Sequence, residues 1–286
     1  MDIFKSIKIP IPSLERQQEI VKYLDFIYEK ANKTSNEKIA ELKQLNEFCL
    51  NNQKIFGENV VKILGEVCEV NQGNSLTKTE MIDGIYNVIG GGKIIGKHNQ
   101  KNRDGNDFTL TRVGDININY LNKPYYLTDN GFSLKSKQED IMTKYIYYLL
   151  SHNNDYLTNL YQGTAQKVIS KTNLKSIKIP VPSLDKQQEI VVYCEFNDTL
   201  IKQLEKEIEN NKRLAQQFIT GIIKSQLQTK EHDDTSSVNT EQIDQVHDEI
   251  ASAEEEEVII EPKPKVKKIV KKVKKNLVIV EENNEE

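Results

Sequence analysis

No run of about 18 apolar residues, the length a bilayer-spanning helix needs, occurs anywhere in the 286-residue chain. The first residues, Met-Asp-Ile-Phe-Lys-Ser, hold no apolar signal core, so a soluble, cytoplasmic protein is expected. Cysteine is scarce: Cys49, Cys68 and Cys194 stand far apart, without C-x-x-C or Cys/His spacing, which argues against a disulfide framework or a zinc site. Charge of one sign is also lacking. A net charge of -4 supplies no global basic field for DNA or membranes, so any nucleic-acid surface must be local. The hydrophobic fraction of 37% is low for a chain folded from end to end, and part of it is expected to be unfolded.

The chain does contain an internal repeat. Lys-Ser-Ile-Lys-Ile-Pro-Ile-Pro-Ser-Leu-Glu-Arg-Gln-Gln-Glu-Ile-Val begins at Lys5, and Lys-Ser-Ile-Lys-Ile-Pro-Val-Pro-Ser-Leu-Asp-Lys-Gln-Gln-Glu-Ile-Val begins at Lys175. From Lys5 to Tyr23, 15 of 19 positions match their partners 170 residues on. Each copy reads as a short strand, Ile7 to Ile9 or Ile177 to Ile179, ended by Pro-x-Pro, which fixes φ and favours extended neighbours. A helix follows in each. Ser13 and Ser183 are placed to cap it, and Glu15 and Asp185 put negative charge in the first turn, where the helix dipole favours it.

After the second start, Ile190, Cys194, Asn197, Ile201, Leu204, Ile208, Asn211, Ala215, Phe218 and Ile222 recur at alternating spacings of four and three, a heptad seam. Asparagines within a dry seam cost stability but fix register and orientation, which suits a helix with one specified partner. The first helix is less regular. Ile20, Leu24, Ile27 and Ala31 begin a seam that resumes one residue late at Ile39, Leu42, Asn46 and Cys49, which predicts a local distortion between them.

Between the helices the glycines Gly73, Gly84, Gly90 to Gly92, Gly96, Gly105, Gly114 and Gly131 separate short β-branched or aromatic runs. Glu66 to Asn71, Ile85 to Ile89, Phe108 to Arg112 and Tyr125 to Leu127 read as strands, and Lys144 to Ser151 and Asn154 to Tyr161 as helices. The predicted class is α+β: one mixed domain flanked by two long antiparallel, coiled-coil-like helices, with a disordered charged tail. The expected divisions are a remnant strand at 1–12, a first helix at 13–56, the central domain at 57–182, a second helix at 183–228 and the tail at 229–286. That tail carries an acidic run, Glu254 to Glu257, then eight lysines between Lys263 and Lys275. Blocks of like charge repel and stay solvated, so disorder is the expectation, although Val266, Ile269, Val270 and Val273 leave room for a short amphipathic helix.

The doubled phrase Lys-Ile-Pro-x-Pro-Ser-Leu-x-x-Gln-Gln-Glu-Ile-Val, closing a domain and opening a long helix, resembles the junction in specificity subunits of type I restriction-modification systems. The middle is similar to that family too, with Leu64-Gly65-Glu66-Val67-Cys68-Glu69-Val70, Gly73-Asn74-Ser75-Leu76, Tyr86-Asn87-Val88-Ile89-Gly90-Gly91-Gly92 and Gln162-Gly163-Thr164-Ala165-Gln166-Lys167. The resemblance covers roughly residues 1 to 225. It implies a non-catalytic, double-stranded-DNA-binding subunit without cofactor or metal, whose partners are a methyltransferase subunit and a restriction or translocase subunit. A full family member carries two recognition domains, whereas only the tail of a first, Asp2 to Pro12, is present here. Self-pairing as a homodimer would restore two readers.

Two tempting motifs fail on chemistry. Gly91-Gly92-Lys93-Ile94-Ile95-Gly96-Lys97-His98 nearly matches a P-loop, but His98 stands where a hydroxyl should hold Mg²⁺, and polar residues rather than a helix follow, so a glycine turn is predicted. Asn122-Lys123-Pro124-Tyr125 resembles an adenine-methyltransferase motif with Lys123 in place of a proline. No glycine-rich cofactor loop accompanies it, so Tyr125 and Tyr126 read as packing residues.

Base reading needs paired donors and acceptors, Arg or Lys for guanine and Asn or Gln for adenine. Two loops supply them: Lys97, His98, Asn99, Gln100 and Arg103 in one, and Gln162, Thr164, Gln166 and Lys167 in the other. Lys93 and Arg112 are added as phosphate contacts, which position without specifying. The helix–helix interface is expected to use Ile20, Leu24, Ile27, Ile39, Leu42, Ile190, Ile201, Leu204, Ile208, Phe218 and Ile222. His152 reads as surface. Without the resemblance the same loops read as ordinary solvated surface and the seams as a plain helical hairpin. The alternative function is a coiled-coil interaction protein that no longer reads DNA.

Overall fold

The computed structural model describes residues 11–51, 59–153, 155–162, 167–228 and 266–274. It divides into two compact units, Met1–Glu41 with Thr199–Pro262, and Leu42–Asp198 with Lys263–Glu286.

Helix α1 (Leu14–Asp25) starts where Ser13 Oγ accepts the Arg16 N–H at 3.3 Å, satisfying one donor that the first turn would leave orphaned. A π-helical segment (Phe26–Ala31) then leads into α2 (Asn32–Asn51). A π-turn absorbs one extra residue, which accounts for the seam's one-residue lag, but it lies at Phe26–Ala31, upstream of the interval between Ala31 and Ile39 where the spacing places the distortion. Ile27 on one side of the lag and Ile39 on the other are both buried.

The second unit is built from short strands. β1 (Val60–Ile63) leads through a single helical turn, α3 (Leu64–Val67), into β2 (Cys68–Gln72), so Glu66 and Val67 are helical rather than extended. Next come β3 (Tyr86–Gly90), β4 (Lys93–His98), β5 (Asp107–Thr111), β6 (Ile118–Leu121), β7 (Tyr125–Leu127) and β8 (Gly131–Ser136). Helix α4 (Thr143–Ser151) and the short α5 (Asp155–Thr158) precede β9 (Tyr161–Gln162), β10 (Val168–Ile169), α6 (Lys171–Lys175) and β11 (Lys178–Val181). The largest sheet runs β2-β8-β5-β6, all antiparallel, and a second runs β4-β3-β7 with β3 and β7 parallel. β11 continues through Pro180, opposite Val61 of β1, rather than ending before it; a two-stranded ladder has open edges that tolerate a missing N–H.

The core lies between the four-stranded sheet, α4 and the ends of the long helices. Phe108, Leu110, Phe132 and Leu134 from the sheet meet Tyr145, Ile146 and Leu149 of α4 and Ile190, Val191 and Tyr193 of α7 (Leu184–Gln228). Gln187 of α7 is fully buried and satisfied: Oε1 accepts the Met142 N–H at 2.8 Å, and Nε2 donates to Asp140 and Pro182 carbonyls, each at 2.9 Å. In the other repeat Gln17 donates to the Pro12 carbonyl at 2.8 Å, the same local bond. Cys49, Cys68 and Cys194 are unpaired and buried, and burial pushes the thiols of Cys49 and Cys68 up to about 12 and that of Cys194 well above its ordinary value, so they pack as apolar groups rather than as nucleophiles.

Within each unit the long helices pair antiparallel. In the first, Asn211 Nδ2 donates to Asn32 Oδ1 at 3.3 Å, and the rings of Tyr23 and Phe218 lie 4.4 Å apart. In the second, Asn197 Nδ2 donates to Asn46 Oδ1 at 2.7 Å with both residues buried. Both seam asparagines of α7 therefore find an asparagine opposite, the satisfied form of a buried polar register mark. Of the expected interface residues, Ile27, Ile39, Ile190 and Ile201 are buried and Ile20, Leu24, Leu42, Leu204, Ile208, Phe218 and Ile222 half-buried.

Within the tail expected to be disordered, residues 266–274 form a helix, α8, which corrects that expectation for this stretch. Val266, Ile269 and Val273 are buried on its inner side, the last two in the core, while Lys267, Lys268, Lys271, Lys272 and Lys274 face outward. The amphipathic spacing wins because burying three apolar side chains outweighs the repulsion among solvated lysines. The remnant strand at Ile7 to Ile9 and the rest of the tail lie outside the described residues.

Candidate nucleic-acid interface

The glycine turn is present where a P-loop is not. Gly90 and Lys93 close a two-residue hairpin, with Gly91 at φ 56° and Gly92 at φ 77°, left-handed values that an L side chain resists. A Cβ on Gly92 would also strike Asn117, while Asn119 Nδ2 holds the Gly92 carbonyl at 2.9 Å. The hairpin tip is therefore pinned to the β5–β6 turn, and it presents Lys93 exposed.

That same turn gathers two more candidates. Arg112 is half-buried, with Nε on the Asp129 carbonyl at 3.2 Å, and its own carbonyl accepts the Ile169 N–H at 2.9 Å. The Gly114 N–H donates to the Lys167 carbonyl at 2.9 Å, the Tyr161 hydroxyl donates to the Gly114 carbonyl at 3.3 Å, and Lys167 Nζ, on an exposed residue, lies 5.3 Å from the Tyr161 ring. Lys93, Arg112 and Lys167 are thus tied by hydrogen bonds of their neighbourhood to one turn. Thr164 and Gln166 fall outside the described residues, as does the side chain of Gln162.

At the other end of β4 the predicted loop splits into two kinds of residue. Lys97, Asn99 and Gln100 are exposed, and Lys97 sits across from the exposed Asn87 of β3, an amide that the sequence reading missed. His98 is buried at 6%, its Nδ1 accepting the Ile82 N–H at 3.1 Å and its ring 5.3 Å from Tyr126, so its side chain serves the fold. Arg103 is half-buried, donating to Ser133 Oγ and the Asn102 carbonyl, each at 2.6 Å, and to the Gln72 carbonyl at 2.8 Å. It staples the loop to β2 and β8 rather than reaching outward. Lys101 pairs with Asp104 at 2.7 Å, which raises the amine and lowers the carboxyl from their ordinary values. Tyr125 is buried as expected, beside Ile89 and Leu127.

His152 is half-buried, not surface. Asn46 Nδ2 faces its Nε2 at 3.3 Å, and Nδ1 lies 3.3 Å from the Tyr148 carbonyl and 3.1 Å from Ser151 Oγ. A carbonyl only accepts, so Nδ1 carries the proton and Nε2 accepts from Asn46. Among the described residues no group of three or more His, Cys, Asp or Glu is placed to hold a metal, and no helix is long and apolar enough to cross a membrane.

The second unit is thus a sheet domain that exposes cationic and amide side chains at its turns and carries an asparagine-registered pair of helix ends. The Type I restriction modification DNA specificity domain matches residues 1–44 and 57–214, and the chain belongs to that family. It is 26% identical over 266 residues to a putative type I restriction enzyme specificity subunit of Methanocaldococcus jannaschii, covering 77% of this chain and 60% of the relative. It is 29% identical over 162 residues to a putative type I specificity subunit of Mycoplasma pneumoniae, covering 55% and 43%. The chain thus spans less than two thirds of either relative. The crystal structure of a type I S subunit from M. genitalium superposes with a TM-score of 0.50 at 19% identity, covering 72% of this chain and 57% of that one, and shows the same fold.

Proposed function

We propose that the chain is a sequence-specific DNA-recognition subunit of a type I restriction-modification-like complex. The domain at 57–182 reads one half-site, and the helices at 13–56 and 183–228 dock a methyltransferase subunit. The observation that carries this is family membership over 57–214 combined with the exposure of Lys93, Lys97, Asn99, Gln100 and Lys167 at turns of that domain. Lys93, Lys97, Lys167 and Arg112 neutralise phosphates and set position; Asn99 and Gln100 carry the donor and acceptor sets that distinguish bases. The subunit itself is non-catalytic, and methylation or cleavage belongs to its partners. The domain at 57–182 accounts for one half of a bipartite site.

Selection of the full chain against a random duplex library, with and without a candidate methyltransferase subunit, tests this. One enriched motif is the expected result. Absence of enrichment under both conditions, with helix pairing intact, would leave a coiled-coil interaction protein that no longer reads DNA.

A further inference from the structure

Among the described residues β4 is the edge strand of its sheet, paired with β3 alone. Its register slips between Val88 and Ile89: Val88 faces Gly96 and Ile89 faces Ile94, so Ile95 is an extra residue. Strict alternation would turn one of the two adjacent isoleucines inward. The bulge instead leaves Ile94 63% and Ile95 45% exposed, and bulges of this kind re-aim side chains beside functional surfaces. The two are not equivalent, because Ile95 Cδ1 lies over Gly90, where an added Cβ would come within 2.7 Å, whereas Ile94 is the more exposed of the pair.

Along the hairpin's own sequence the charge is one-sided, the exposed Asp83 lying outside it on the segment that packs against His98 and Asn99. From Ile85 to Arg103 the sequence contains Lys93, Lys97, Lys101 and Arg103 and no Asp or Glu. Lys101 and Arg103 are engaged within the domain, which leaves the exposed Lys93 and Lys97 one on each side of Ile94 and Ile95. An apolar projection flanked by lysines on the β3–β4 ribbon, which forms the edge of a three-stranded sheet because β7 pairs with the far side of β3, complements a polyanion with apolar groups in its groove. The DNA major groove admits such a ribbon, and the thymine C5-methyl is the apolar group it displays.

We propose that the β3–β4 hairpin enters the major groove and that Ile94 is a specificity-determining residue that reads a thymine through its methyl group, with Lys93 and Lys97 on the flanking phosphates. This rests on the DNA-recognition reading of the domain. Once a motif has been selected with the full chain, each thymine in it is replaced by uracil, which removes only the methyl. Wild type should bind one substituted duplex about three- to fivefold more weakly, the worth of one buried methyl. Ile94→Ala should bind that pair of duplexes equally while keeping its thermal melting, since the side chain is exposed. Ile95→Ala, which loosens the hairpin, should retain the discrimination.

A motif without thymine, uracil tolerated at every position, or discrimination that survives in Ile94→Ala overturns the proposal while leaving sequence recognition intact. Loss of methyltransferase binding in Ile94→Ala with unchanged DNA binding also overturns it, because the ribbon would then face a protein. Failure to select any motif overturns the recognition reading itself.

Discussion

At the scale of single residues, the most consequential side chains are the buried asparagines. Asn197 and Asn46 are each satisfied through the other, and Asn46 in turn supplies the donor for His152 Nε2. Replacing Asn197 with Ala leaves Asn46 Oδ1 buried without its donor, and should cost about 1–3 kcal/mol, read as a lower urea midpoint at unchanged slope. His152 adds a pH dependence. Burial lowers its pKa, against the pull of Asp198, the Tyr148 carbonyl and Glu47 and with a small push from Lys43. Below its unperturbed pKa of about 6.5 the unfolded chain binds a proton that the folded chain refuses, so stability rises with pH through that window and is lost as pH falls. The stability gap between wild type and His152→Asn should therefore narrow on going from pH 8 to pH 5; a gap independent of pH would sink the assignment. The asparagines were legible because heptad spacing assigns them to the seam. His152, His98 and Arg103 were not, because their partners Asn46, Ile82, Gln72 and Ser133 lie 16 to 106 positions away, beyond any local pattern.

At the scale of elements, spacing forecast the π-helical segment better than propensity forecast the strands. The lag between Ala31 and Ile39 requires one surplus residue, and the segment Phe26–Ala31, upstream of that interval, absorbs it. Beyond that segment Asn32 and Ser35 are buried, which marks the shifted seam. Deleting the exposed Glu29 places Ile27, Asn32, Ser35, Ile39, Leu42 and Asn46 on alternating four and three spacing. That variant should keep its helicity and melt within about 1 kcal/mol of wild type, since a continuous heptad seam no longer needs the bulge. Deleting Gln44 breaks the seam between Leu42 and Asn46 and should cost more than about 2 kcal/mol by exposing apolar positions. Circular dichroism melts of the two deletions decide it, and equal destabilisation would count against the register account. Several strands were missed for a physical reason. β6 and β8 contain Asn, Tyr, Ser and Gly and take their conformation from pairing with β5, and β4 hides its period in a bulge. Phe108–Arg112 and Tyr125–Leu127, rich in aromatic and aliphatic residues, were legible and lie at β5 and β7.

At the scale of the whole molecule, the near-neutral charge decides how DNA binding should respond to salt. A chain with no basic field gains its electrostatic affinity from a few local groups, so each one is a visible fraction of the total. Lys93, Lys97 and Lys167 are exposed on the sheet domain, two on strand β4 of one hairpin and one held at the β5–β6 turn. Changing each to Gln should reduce the slope of log affinity against log salt by about 0.9 for every phosphate no longer neutralised. Lys93→Gln and Lys167→Gln should weaken all duplexes uniformly, whereas Asn99→Ala or Gln100→Ala should alter the selected motif at about 1–3 kcal/mol per base pair read and leave the slope unchanged. Filter binding of motif and scrambled duplexes across a salt series separates the two classes. If the lysine changes leave the slope untouched, the phosphate face lies elsewhere on the molecule, and the five outward lysines of α8, anchored to the same unit by Ile269 and Val273, become the charges to neutralise next.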